Sequence, residues 1–218
     1  MNNIPSNIID VFEKLKIEVT WLHVRWKIYR QLFAHSGKRI DLLNECASTF
    51  FYVIQETLID EVQVYICKLT DPACNGRYEN LSFEQLQRRV EDQGERQLSA
   101  DLRKLLDDLY DKSQDFRTWR NKRLTHLDLN TAMQSNTNDL PVIYRQMIED
   151  TLRLLRNYMN TIEVHYCHRE TDYDNFHMSS SDGEALVFML KFGIRYKELL
   201  KDHKLPFDDF EQSQWWDA

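Results

Sequence analysis

"IDLLNECASTFFYVIQETLIDEVQVYICKL", Ile40 to Leu69, is the stretch whose reading decides the fold. Its apolar residues Ile40, Leu43, Ala47, Phe50, Ile54, Leu58, Val62, Tyr65 and Leu69 recur at intervals of three and four, the period that lines one face of an α-helix. A half-buried strand would alternate instead. At 1.5 Å per residue, a helix of roughly thirty residues spans about 40 Å. A rod of that length needs others beside it to bury its apolar face, and this predicts an all-α chain.

The segments on either side repeat the pattern. Upstream, Ile8, Val11, Leu15, Val19, Leu22, Trp26, Tyr29 and Phe33 form one stripe, and Gly37 in "HSGK" is expected to cap its C-terminus. Downstream, "TDPACNGRYEN", Thr70 to Asn80, carries Pro and Gly and reads as a loop. Ser82 with Gln85 reads as a capping box opening a short helix to about Asp92. Beyond Gly94 a third long helix runs through Leu98, Leu102, Leu105, Leu109 and Phe116. The polar "QSNTNDLP", Gln134 to Pro141, leads into a fourth with Ile148, Leu152, Leu155, Met159, Ile162 and Tyr166 on one face. A last helix carries Leu186, Met189, Gly193, Tyr196 and Leu200. The expected architecture is an antiparallel bundle of four to five long helices with a short inserted helix. Residues 1–205 are expected to form one domain, with 206–218 an acidic C-terminal tail bearing Trp215 and Trp216.

Composition agrees with that reading and excludes several function classes. Five Gly and four Pro are few for 218 residues, as long helices require. A formal charge of −7 argues against a broad grip on a nucleic-acid backbone, which needs clustered Lys and Arg. Cys46, Cys67, Cys74 and Cys167 form no CxxC pair, and no signal-like N-terminus precedes them, so reduced thiols in a cytoplasm are expected. No apolar run approaches the roughly 20 residues that span a bilayer, so no membrane partner is expected. "EVHYCHRE" offers His165, Cys167 and His168, with His177 further on, but lacks finger spacing and a second clustered pair, so no metal or cofactor is expected. A glycine-rich phosphate loop, a Gly-x-Ser-x-Gly elbow and a Cys-His nucleophile pair are also missing.

One stretch departs from the acidic background. "RTWRNKRLTHLD", Arg117 to Asp128, packs Arg117, Arg120, Lys122 and Arg123 around Trp119, Asn121 and His126. Lys112 to His126 carries five Lys or Arg against one Asp, a local +4 with His neutral. Extending the third helix gives Leu105, Leu109, Ser113, Phe116, Arg120, Leu124 and Leu127, so Arg120 falls where an apolar residue is expected. A guanidinium cannot shed its charge, so on that line it needs a carboxylate, an anionic ligand or a crevice open to water. The structural reading is an Arg that snorkels or pairs with Asp60 or Glu61 of the second helix. In the functional reading an always-charged phosphate binder, an amide and a group titrating near neutrality lie within seven residues. These are the parts phosphodiester cleavage needs. On an unbroken helix Arg120 and His126 would stand about 120° apart and about 9 Å along the axis. They meet only if the helix bends or ends between them, if the Arg reaches round, or if two subunits share one cleft.

"RNKRLTH", Arg120 to His126, resembles the signature of the HEPN superfamily: Arg, usually a polar residue, then His after four to six intervening residues. "WKIYRQLF" (Trp26 to Phe33), "FFYVIQETLIDEVQVYICKLTDPA" (Phe50 to Ala73) and "NLSFEQL" (Asn80 to Leu86) resemble successive segments of its abortive-infection, AbiU-type branch. The likeness covers about Trp21 to Asp128. It implies an all-α homodimer in which the Arg and His motifs of two subunits adjoin. The implied activity is metal-independent endoribonuclease cleavage of RNA, in phage defence or as a toxin, with an antitoxin partner in the latter case. Arg120 is then expected to bind and stabilise the scissile phosphate, and His126 to act as general base or acid. Asn121 would orient phosphate or His, Lys122 and Arg123 contact neighbouring phosphates, Asp128 steer the His, and Asp60 and Glu61 line the opposing wall. No Tyr stands two residues beyond His126, where some HEPN toxins carry a nucleotide-modification target. The competing expectation is a non-catalytic helical module that holds RNA, a nucleotide or a partner protein.

Overall fold

The computed structural model of the chain describes residues 4–125, 129, 133, 140–175, 181–202 and 204. The described elements are α1 (Ser6–Phe33), α2 (Gly37–Leu69), β1 (Cys74–Asn75), β2 (Tyr78–Glu79), α3 (Phe83–Asp92), α4 (Arg96–Trp119), a π-helical turn (Arg120–Leu124), α5 (Arg145–Cys167) and α6 (Gly183–Lys201). The all-α class holds. The expected linker 134–139, the tail 206–218 with Trp215 and Trp216, and His177 lie outside the described residues. Among the described residues no helix is long and apolar enough to cross a membrane. All four cysteines are free thiols.

Two compact units divide the chain, one within 1–27 and 56–176, the other within 28–55 and 177–218. In the first, α4 packs against both α5 and α3. The α5 stripe is buried as its spacing predicts: Ile148, Leu152, Leu155, Met159, Ile162 and Tyr166 all face inward. Each such side chain contributes about 1.5–3 kcal/mol on burial. Opposite them α4 buries Leu98, Leu102, Leu106, Leu109 and Phe116. Leu106 takes the place expected of Leu105, which is half-buried. Two buried polar side chains of this core, Tyr158 and Glu163, are paired. The Tyr158 hydroxyl donates to Gln87 Oε1 at 3.1 Å, and its ring meets Phe83 edge-on at 4.7 Å. Glu163, whose side chain is fully buried, accepts from Lys16 Nζ at 2.6 Å and from Thr171 Oγ1.

The second unit has a smaller core of Leu32, Leu43, Phe51 and Val187, with Leu42, Cys46 and Leu190 packed against it. Asp182 caps α6, accepting from the Glu184 and Ala185 amides at 3.1 and 3.3 Å. Arg39 grips Glu184 with two hydrogen bonds of 2.6 and 3.0 Å.

Three local expectations are corrected. Gly37 opens α2 and does not cap α1; the positive-φ glycines are Gly76 and Gly94, while Ser36 Oγ accepts from the Arg39 amide at 3.3 Å at the start of α2. The α2 stripe slips because Ala47, at φ −164° and ψ 73°, interrupts the helix. Just past this kink Phe51 is buried while Phe50 stays 57% exposed, and further along Val62 and Leu69 are buried as the spacing predicts. In α6 Leu186 and Met189 lie exposed, and Val187 carries the packing. Elsewhere the reading holds. Ser82 Oγ accepts from the Gln85 amide at 3.3 Å to start α3, and Gly94 at φ +77° separates α3 from α4. Within the expected loop, β1 and β2 pair around a two-residue turn that begins at Gly76, φ +61°.

Candidate active site

The end of α2 and the end of α4 build the site. Leu69 closes α2, and the next two residues, Thr70 and Asp71, turn toward α4. Thr70 is buried, its amide and hydroxyl both donating to the Ile66 carbonyl at 3.1 and 2.8 Å. Arg117, on the last turn of α4, donates through Nη2 to the Thr70 carbonyl and to Thr70 Oγ1, the latter at 2.8 Å, and through Nη1 to Asp71 Oδ1 at 2.8 Å. Arg120 follows one turn later. Its Nη1 reaches both oxygens of the same carboxylate, at 2.8 and 2.9 Å, and its Nε donates to Asn121 Oδ1 at 3.2 Å.

One carboxylate thus separates two guanidiniums. The cluster keeps a net charge of +1, and Arg120 Nη2 has no partner among the described residues. The three side chains are 17–26% exposed, open enough for an anion to reach and dry enough for charge to count. Beneath them lies Cys67. Burial pushes its thiol up to about 11 against the pull of Arg120 and Arg117, which favours the neutral form.

The helix changes register at Arg120. Residues Arg120–Leu124 form a π-helical turn, and both the amide and the hydroxyl of Thr125 donate to the Arg120 carbonyl, at 2.9 and 2.8 Å. Bonds of this i→i+5 type are rare and recur at functional sites. The 120° separation expected for an unbroken helix therefore does not apply, because α4 ends before His126. Trp119 Nε1 donates to the Pro141 carbonyl at 2.7 Å, tying the end of α4 to the residues that lead into α5.

The remaining expected residues are placed as follows. Asn121 is exposed and serves Arg120. Arg123 is exposed and Lys122 half-buried. Asp60 sits close enough to Arg123 to feel its charge; burial, then Glu56, pushes the Asp60 carboxyl up, and Arg123 pulls it down. Glu61 belongs to a different pair, with Arg25 Nε at 2.9 Å, and Arg25 in turn stacks 4.6 Å from the Tyr65 ring centroid. Neither Asp60 nor Glu61 is the partner of Arg120. That role falls to Asp71, which sequence reasoning passed over because it lies in a Pro-containing loop 49 residues from Arg120. Its only sequence signal is its place two residues beyond a helix end. His126, Leu127 and Asp128 lie outside the described residues. In the segment "EVHYCHRE", His165 Nε2 lies 3.6 Å from Glu95, and the described residues hold no group of three His, Cys, Asp or Glu side chains arranged for a metal.

The HEPN family model described as AbiU2 matches residues 5–186. No curated protein and no solved structure matches the chain.

Proposed function

Because the chain belongs to the AbiU2 family of the HEPN superfamily, we propose that it is a metal-independent endoribonuclease of abortive infection, acting on RNA in the cytoplasm in phage defence or as a toxin. The observation that carries this reading is the paired guanidinium site at the register change. Arg120 is fixed by Asp71 and Asn121, retains a donor, and stands six residues before His126.

In this reading the Arg120 edge binds the non-bridging oxygens of the scissile phosphate and stabilises the charge that grows there as the phosphorane forms. His126 takes the proton from the ribose 2′-OH, or gives one to the departing 5′-oxygen. The 2′-oxygen bonds to phosphorus as the bond to the 5′-oxygen breaks, which leaves a 2′,3′-cyclic phosphate and a 5′-hydroxyl. A homodimer with adjoining motifs supplies two such sets to one cleft, and an antitoxin is the partner a toxin of this kind requires. Lys122 and Arg123 extend the positive strip along the strand, and Asp128 and Asp60 complete the walls.

The net charge of −7 favours one other reading, a binding module whose small basic patch holds RNA, a nucleotide or a partner protein without cutting. The purified protein incubated with total RNA in EDTA separates the two. Fragments with cyclic-phosphate ends support the nuclease, and intact RNA across pH and substrate range leaves the binding module.

A further inference from the structure

We propose that Asp71 is the positioning residue of this site: it sets the orientation of Arg120 for the substrate phosphate without touching the substrate itself. The proposal rests on the phosphate-binding reading of Arg120. Asp71 holds the two arginines differently. Arg117 has an independent anchor in the buried Thr70, through carbonyl and hydroxyl. Among the described residues Arg120 has only Asp71 and the exposed neighbour Asn121. Without the carboxylate, two guanidiniums on successive turns would repel each other, and Arg120 is the one free to swing away.

The contact also spares the working edge. Both carboxylate oxygens converge on the single nitrogen Nη1, whereas a forked pair would occupy Nη2 or Nε as well. Nη2 therefore remains for an anion. An alternative role, a carboxylate that blocks the site and moves aside for substrate, conflicts with how Asp71 is held. Its amide donates to the Lys68 carbonyl at 3.3 Å, Thr70 and Ala73 on either side are buried, and Asn80 staples the loop through Pro72 and Ala73 at 2.7 and 2.8 Å. Asp71 is a strut in a pinned turn, and Asp71→Asn keeps its shape while removing the charge that binds two guanidiniums at once.

The test reads the arginine side chains by nitrogen-15 NMR and the reaction by kinetics, in the full chain. Wild type is expected to show ordered Nε–Hε signals for Arg117 and Arg120, with inorganic phosphate shifting that of Arg120. In Asp71→Asn the Arg117 signal persists, showing the fold intact, while the Arg120 signal is lost to exchange, and Asp71→Glu restores it in part. With RNA, kcat falls at least tenfold in Asp71→Asn while KM changes less than threefold. An ordered Arg120 signal in Asp71→Asn, no phosphate response in wild type, or a rise in kcat in Asp71→Asn overturns the proposal, the last pointing to a blocking carboxylate. If wild type leaves RNA intact but the phosphate shift and its loss in Asp71→Asn are seen, the nuclease reading fails and the positioning role stands.

Discussion

Asp71 and Arg120 meet through one guanidinium nitrogen: Nη1 donates to Oδ1 at 2.8 Å and to Oδ2 at 2.9 Å. The neighbouring Arg117 shares that carboxylate but is anchored separately on Thr70. Two arginines in one cluster are therefore held differently, Arg117 on a buried anchor and Arg120 on the shared carboxylate and Asn121.

Stability should divide along that line. Arg117→Ala strands acceptors on buried Thr70 and is expected to cost about 2–3 kcal/mol in urea unfolding. Arg120→Ala removes a partly exposed pair and should cost about 1 kcal/mol or less. An equal or larger loss for Arg120→Ala would show that it serves as a strut after all.

Glu163 gives the fold an acid-sensitive point. Burial pushes its carboxyl up, but hydrogen bonds from Lys16 and Thr171 and the charges of Lys16 and Arg169 outweigh this and hold it below its ordinary range. A carboxylate with a lowered folded pKa adds stability that is complete above its unfolded value of about 4.3 and disappears as pH falls through the folded value. Glu163→Gln is expected to cost about 2 kcal/mol at pH 7, since Lys16 is partly exposed, and to flatten the melting curve below about pH 4. Parallel acid profiles of wild type and variant would rule this out.

His23 acts in a higher window. Burial lowers its pKa, against the raising effect of its hydrogen bond to the Val19 carbonyl, at 2.9 Å from Nδ1. The folded protein keeps the ring neutral while the unfolded chain protonates it below about 6.5, so stability declines as pH falls from there toward the lowered folded value. His23→Phe, which keeps a ring beside Tyr173, should remove that part of the pH dependence of Tm.

Thiol chemistry provides a check on burial around the site. Exposed Cys74 should react with a thiol reagent at pH 8 in the native protein, while Cys67, neutral and buried under the arginines, reacts only on unfolding. Mass-spectrometric mapping after brief labelling decides it, and early modification of Cys67 would contradict the packing described.

How far the sequence revealed this molecule depends on the element. The α5 stripe was fully legible because nothing interrupts its helix, and every residue the period selected is buried. The α2 stripe was misread only just past the non-helical Ala47, where Phe51 is buried in place of Phe50, and it holds again at Val62 and Leu69; periodicity assumes a constant step and cannot see a kink. At the site, the misplaced charge of Arg120 was visible as a break in an apolar line. Its counter-ion was not, because a contact between a loop and a helix 49 residues apart leaves no spacing to read. The register change at Arg120 was equally hidden, since it depends on Thr125 folding back onto one carbonyl.

The most direct test of the nuclease reading compares wild type, Arg120→Ala and His126→Ala on one RNA in EDTA, by initial rate of cyclic-phosphate formation. The reading predicts cleavage by wild type and a loss of at least about 100-fold in each variant, with Arg120→Ala still folded. Cleavage that persists in Arg120→Ala, or RNA left intact by wild type, would contradict it.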